Sequence, residues 1–288
     1  MSNLQKAFEA RYFPLKRGFR LRAAKYRRCR SIPMPRTGFS GKLLTLRRLD
    51  IPAPAAELKG RRILFISDWH WHNSERNRRI LAEFEEVAKN ISPDILLIGG
   101  DLCDDAEFLD TLPPLLKKLA ALAPEVIAVK GNWETGKRWL AEDFFAKLYA
   151  ENGITLLENE SKTVNGIRVC GLADLSSVNF HTIPEPENTA GVANILLVHS
   201  PDAVVSADYK GFLRHFHLAF CGHNHGGQIR LPLFGALYCP SFYCTKFDSG
   251  LFERRGLRLK LAVSSGIGEH HRSKRLFCPP ETVLTEFR

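Results

Sequence analysis

Two aspartates, one asparagine and four histidines stand in five short polar stretches, each closing an apolar run. In chain order these are Asp68-Trp69-His70, Gly99-Gly100-Asp101, Gly131-Asn132, Val198-His199-Ser200 and Gly222-His223-Asn224-His225. Carboxylate, amide and imidazole donors collected at strand ends form a ligand set for two divalent metals. Asp68 and His70 are two residues apart, as are His223 and His225, so extended backbone would send each pair out of one face. Trp69 and Asn224 would then point away from the metals. The glycines suit tight exits where backbone turns and approaches an ion closely. Asp101 is the natural bridge, because a carboxylate can span cations about 3.5 to 4 Å apart. A donor set of His, Asp and Asn without cysteine suits manganese, iron or zinc better than magnesium or calcium.

Taken singly, each residue has a plainer reading. An Asp after a strand, such as Asp101, is usually a helix cap, and a lone His199 could be a hydrogen-bonded core histidine. Seven metal-competent side chains at successive strand exits share no such structural reason.

Those exits require parallel strands, since ligands gather in the crevice beyond the carboxyl ends of strands in open α/β sheets. Apolar runs at 63–67, 95–99 and 126–130 alternate with expected helices over 75–89, 106–122 and 134–150, the pattern of strands buried on both faces. An all-strand passage over 154–172 turns at Asn165-Gly166. A strand over 195–199, a short helix near 201–209 and a strand over 218–222 follow. Residues 43–49 read as an edge strand, and 257–263 and 282–287 as late strands in a Gly- and Pro-rich end. Two stacked sheets with helices outside account for this α/β order.

Composition bounds the rest. At 288 residues, 44% hydrophobic and 25% charged, the chain can bury a sizeable core, and disorder is excluded for most of it. The net charge of +10 is uneven: residues 1–48 carry fourteen Lys or Arg against Glu9 alone, which leaves the remainder at −3. We therefore divide the chain into a basic arm, 1–40, and a body, 41–288. The arm mixes its cations with Tyr12, Phe13, Phe19 and Tyr26, which suits an acidic membrane surface, although Pro14 and Gly18 interrupt any long amphipathic helix. A merely solubilising tail is the plain alternative. Seven cysteines without a CxxC pair read as reduced thiols. No eighteen-residue apolar stretch and no signal-peptide core occur, so the expected place is the cytosol or the cytoplasmic face of the inner membrane.

With these blocks the chain resembles the calcineurin-like metallophosphoesterases over residues 43–288. The extension Gly226-Gly227-Gln228-Ile229-Arg230-Leu231-Pro232 and the late Ser264-Ser265-Gly266-Ile267-Gly268 are similar to the YkuE- and YaeI-like bacterial branch. The resemblance implies a four-layer α/β/β/α sandwich with a dinuclear site. It implies Asp68, His70, Asp101 and His225 around one metal and Asp101, Asn132, His199 and His223 around the other, manganese being the first expectation. It further implies in-line attack of a bridging hydroxide on phosphorus.

One position departs from the family pattern. Trp133 stands where the family usually has a histidine near the scissile phosphate, and an indole N–H cannot act as a general acid near neutral pH. An alkoxide leaving group needs that proton, whereas a phosphate leaving from an anhydride needs it far less. The expected substrate is therefore a phosphoanhydride, or another group replaces the acid. His72 is the first candidate, ahead of His181, His270 and His271; with Asn132 and His199 it completes the candidate catalytic residues. Glu134 reads as a helix N-terminal residue, and Trp69 and Trp71 as packing or as lining for a lipid or base. Within the branch, the activity that joins these hints is hydrolysis of UDP-2,3-diacylglucosamine to its lipid monophosphate and UMP in lipid A synthesis. The expected partner is thus an anionic lipid-linked or nucleotide-linked small substrate. The alternatives are a phosphodiesterase on phospholipid headgroups or envelope polymers, a nuclease, and a non-catalytic scaffold. The slightly acidic body and the lack of a recognition module argue against nucleic acid, and the filled ligand positions against a scaffold.

Overall fold

Apolar runs of four or five residues become strands whose alternate side chains feed two different cores. The computed structural model describes residues 29–32, 34–35, 41–137, 140–177, 190–208, 212–241, 247–254, 256–269 and 274–288. Most of the basic arm, His181, His270, His271 and Cys244 lie outside these.

The strands are β1 (Arg30–Ile32), β2 (Thr45–Ile51), β3 (Arg62–Ile66), β4 (Ile95–Ile98), β5 (Glu125–Ala128), β6 (Thr155–Leu156), β7 (Glu160–Val164), β8 (Ile167–Gly171), β9 (Ala193–Leu197), β10 (Leu218–Cys221), β11 (Arg230–Leu231), β12 (Gly235–Ala236), β13 (Gly250–Glu253), β14 (Lys260–Val263) and β15 (Glu281–Phe287). The helices are α1 (Glu75–Ile91), α2 (Leu112–Ala120), α3 (Asn132–Gly136), α4 (Phe144–Glu151) and α5 (Pro201–Ala207). One sheet has the order β2-β15-β3-β4-β5-β6, with β3 to β6 parallel and β2 at its edge as expected. The other runs β1-β13-β14-β10-β9-β8-β7, with β14, β10, β9 and β8 parallel. β1 falls within the stretch assigned to the arm and forms the outer strand of this sheet.

Strand periodicity assigns the layers. Ile95 and Leu97 of β4 face the core between the sheets, where they join Ile195 and Leu197 of β9. Phe65 and Phe220 stack across that interface with ring centroids 4.8 Å apart, and truncating either to Ala would cost about 3–5 kcal/mol. Leu96 and Ile98 face the other way, onto α1, α2 and α4. Leu196 and Ala219 face α5. The result is the anticipated α/β/β/α sandwich.

Two expected helices are broken, each for a local reason. The stretch 106–122 is a 3-10 turn, Ala106–Thr111, followed by α2. Pro113 and Pro114 lack amide protons and are accommodated only in a first turn, so the α-helix begins there. The stretch 134–150 divides into α3 and α4, with Gly136 closing the first. β13 has no counterpart in the sequence reading; it has four residues and is followed by Arg254-Arg255-Gly256, which interrupts the apolar pattern. The described cysteines are all free thiols.

Candidate metal centre

The loops after β3, β4 and β5 in one sheet and after β9 and β10 in the other bring the seven donors together. Asp68, His70 and His225 form one cluster and Asp101, His199 and His223 a second; in each, one ligand atom per residue lies within 4.8 Å of the others. Asn132 joins the second: its Oδ1 is 3.0 Å from His199 Nε2 and 2.9 Å from His223 Nδ1. Asp101 Oδ2 faces both clusters, 3.1 Å from His199 Nε2 and 4.0 Å from His70 Nε2.

The backbone that achieves this is not the extended chain anticipated from the two-residue spacing. Asp68, His70, Asp101, His223 and His225 all have left-handed φ, between 46° and 69°. Asp and His tolerate this region better than most residues, at a cost of order 1–3 kcal/mol each that surrounding structure must offset. That structure is visible. Asp68 N–H donates to Gly100 O, His70 N–H to Asp101 O and Gly268 N–H to Asp68 O, at 2.8–3.0 Å. His223 N–H donates to both Asp68 carboxylate oxygens. Any Cβ on Gly222 would collide with Asp68 Oδ2, and one on Gly131 with Asp101 Oδ1, so glycine is required where the backbone passes the carboxylates.

Glu134 is more than a residue of a helical first turn. Its buried carboxylate accepts the backbone N–H groups of Asp101 (2.9 Å), Leu102 (2.6 Å) and Gly131 (2.8 Å), clamping two ligand loops together. Asp104 is also new: its Oδ2 accepts His70 Nδ1–H at 3.1 Å. Signals existed for both, since Glu134 follows Gly131 by three residues and Asp104 follows Asp101 by three, but neither spacing alone separates such a role from a capping residue.

The donor chemistry fits cations. Gly99 O can only accept, so His199 Nδ1 must donate to it (2.8 Å) and Nε2 presents a lone pair. That lone pair faces the Asp101 carboxylate and the Asn132 amide oxygen. Asp104 orients His70 in the same manner, leaving its Nε2 toward His225 Nε2 at 3.0 Å. Converging lone pairs and carboxylates require positive charge between them, from protons or from metal. Burial pushes the His199 imidazole down, but Asp101 first, with Asp68 and Asp174, pulls it well above the usual histidine range. Burial raises Asp101, and His199 outweighs that and holds its carboxyl well below the carboxylate range.

Trp133 lies at the rim. Its ring meets His70 edge-on at 6.3 Å, and Lys137 Nζ sits 5.4 Å from its centroid while donating to the Asp104 carbonyl. His72 joins neither cluster; its Nδ1–H donates to His70 O at 2.8 Å and its ring packs against Phe108. Trp69 and Trp71 are buried in the core beside Phe84, which answers the pocket-lining reading with packing. Asn224 points away from the clusters, as expected, to Phe247 O and Ser241 Oγ.

Residues 61–237 match the model of the calcineurin-like phosphoesterase family, a span that includes all seven donors. The chain belongs to this family. Among similar calcineurin-like proteins, Phosphodiesterase YaeI of Escherichia coli is 28% identical over 78% of this chain and 81% of its own length. The uncharacterized metallophosphoesterase YkuE of Bacillus subtilis is 29% identical over 67% of this chain and 68% of its own. UDP-2,3-diacylglucosamine pyrophosphatase LpxG of Chlamydia muridarum is 26% identical over 84% and 88%. The chain is a metal-dependent phosphoester hydrolase of calcineurin-like type, with two clusters that could hold its divalent metals.

Proposed function

We propose that this hydrolase cleaves the pyrophosphate of UDP-2,3-diacylglucosamine, or a closely similar lipid-linked nucleotide anhydride, releasing UMP. Asp68, His70, Asp101 and His225 would hold one cation, and Asp101, Asn132, His199 and His223 the other. Two divalent cations, manganese as first expectation and iron or zinc as alternatives, supply Lewis-acid polarisation of a phosphoryl group and lower the pKa of water.

The observation that carries the choice of substrate is Trp133 at the rim beside His70. Its indole can donate a hydrogen bond but cannot deliver a proton to a departing alkoxide. His72 has its Nδ1–H turned to backbone and would have only Nε2 to offer. Lys137, held over Trp133, adds positive charge suited to a phosphate leaving group. The two Chlamydia pyrophosphatases similar over 84% of this chain support the same reading. The basic arm would hold the enzyme on an acidic inner leaflet, at its cytoplasmic face.

The test is manganese-dependent UMP release from UDP-2,3-diacylglucosamine in detergent micelles, with a chelator and Asp101→Ala as controls. Rapid release abolished by both supports the proposal. Hydrolysis of an aryl phosphodiester without UMP release would sink it in favour of a general phosphodiesterase, the reading that the similarity to YaeI favours.

A further inference from the structure

Every large hydrophobic side chain exposed among the described residues lies in one place. These are Ile229, Leu231, Leu233, Phe234, Leu237 and Tyr238 on and around the β11–β12 hairpin, with Leu276 and Phe277 beside it. Leu233 at the tip is fully exposed and Phe234 is 84% exposed. Scattered apolar residues on a surface need no explanation, but a contiguous set with none elsewhere among the described residues marks an interaction site.

The hairpin is built to hold these groups out. Arg230 pairs with Ala236 and Leu231 with Gly235, and Phe234 N–H donates to Leu231 O at 3.2 Å across the turn. Leu276 is stitched alongside by N–H bonds to Gln228 O and from Arg230, both 3.0 Å. Leu233 and Phe277 both take left-handed φ, 73° and 52°, unusual for bulky residues. Strain combined with exposed apolar surface has no stabilising role within the monomer.

We propose that this hairpin is a membrane-docking element that inserts its tip into the outer acyl region of an anionic leaflet. A convex tip of Leu and Phe suits an acyl layer, which needs no matching socket. From Gly226 to Tyr238 the only charged residue is Arg230, and it is paired with Asp248 at 2.7 Å. Tyr238 brings an amphipathic ring, exposed Lys274 lies close to the Leu276-Phe277 pair in sequence, and the cationic excess of the chain is carried by residues 1–48. Apolar insertion combined with cationic attraction is how interfacial elements bind. The hairpin also continues the metal loop: Arg230 Nη1 donates to Gly226 O at 2.8 Å, one residue from His225. Docking would therefore set the metal centre beside the headgroup layer. This deepens the lipid-substrate reading, on which its functional meaning rests.

The experiment uses the full chain and vesicles of phosphatidylcholine with phosphatidylglycerol, in salt high enough to screen the basic arm. Leu233→Glu/Phe234→Glu should sediment with vesicles about tenfold or more weaker than wild type, with hydrolysis of a soluble aryl phosphodiester unchanged. A chain carrying Phe234→Trp should gain fluorescence that brominated acyl chains quench. Equal sedimentation of the double variant and wild type, or no quenching, would overturn the proposal. So would a concentration-dependent dimer that the double variant abolishes without altering vesicle binding, since the face would then belong to a second copy. Vesicle docking that depends on the hairpin, in a protein that releases no UMP in micelles, upholds the docking surface while rejecting the substrate.

Discussion

Trp133 donates its backbone N–H to Asp101 Oδ1 at 2.9 Å, so one oxygen of Asp101 caps the first turn of α3 while Oδ2 faces both metal clusters. The plain reading of an Asp after a strand and the chemical reading are both true of this residue, one oxygen each.

Substitution can separate the two duties. Asp101→Asn keeps an acceptor for Trp133 N–H and removes the anion, so it should keep the cap, lose only the pairing with His199, and lose nearly all metal-dependent turnover. Asp101→Ala also leaves that N–H without its acceptor and should lose a further 1–3 kcal/mol or so of stability. Thermal unfolding beside metal analysis checks this; equal melting temperatures for the two variants would show that the cap contributes nothing.

Glu134→Gln replaces a carboxylate that accepts three backbone N–H groups by an amide whose NH2 must confront at least one of them. A stability loss of about 1–3 kcal/mol is expected, with metal affinity about 10- to 100-fold weaker as the ligand loops loosen. Denaturant unfolding and competition with a fluorescent chelator measure the two. Unchanged metal affinity would refute the clamp.

Asp104→Asn removes the charged acceptor of His70 Nδ1–H without touching a candidate ligand. The expected effect is about 10- to 100-fold weaker metal binding at the Asp68–His70–His225 cluster. Occupancy measured by metal titration should fall at one site before the other; simultaneous loss of both would show that Asp104 does not act through His70.

Trp133→His should raise hydrolysis of diesters with poor alkoxide leaving groups by about ten- to a hundredfold, the lower part of what a positioned acid contributes. Anhydride cleavage should change little. A linear free-energy plot across leaving groups gives the answer: a slope as steep as that of wild type would mean that position 133 is not where the acid is missing.

The chelated protein should become less stable as pH rises. His199 is held well above its ordinary value of about 6.5, burial being outweighed by Asp101. A raised folded pKa gives stability that is full below the unfolded value and is lost as pH climbs through the folded one. Burial likewise raises Asp174, in the same direction. The metal-loaded protein should show the opposite trend on the acid side, because protons compete with metal for the same nitrogens. Melting temperatures between pH 6 and 9, with and without chelator, test both; parallel curves would mean that the donors carry no such charge.

The strands and their exits were legible because buried parallel strands read as unbroken apolar runs, and the residue after each run is then placed by topology alone. This put Asp68, Asp101, Asn132, His199 and His223 in one crevice. The left-handed backbone at Asp68 and His70 was not legible, because neither residue type demands it and the hydrogen bonds that hold it come from Gly100, Asp101 and Gly268. Glu134 and Asp104 were illegible as supports for the same reason: their partners are remote backbone and a remote ring. The hairpin at 230–236 was readable only as a marker of resemblance, since exposure of Leu233 and Phe234 is a property of the folded surface and leaves no periodic trace.

β15 lies between β2 and β3, with Leu284 directly opposite Leu64. The strand that launches the Asp68 loop therefore finds one of its two neighbours more than two hundred residues away, and Gly266 and Gly268, which precede β15, brace that loop through Glu281 N–H and Asp68 O. Such a long loop must close before the first ligands are fixed, which slows folding relative to a chain of local contacts. During synthesis, α1 and its neighbours can condense while Asp68 and His70 still lack their support. A nascent chain of this protein would thus acquire metal late, after β15 has docked, and would be exposed to aggregation through the open edge of β3 until then.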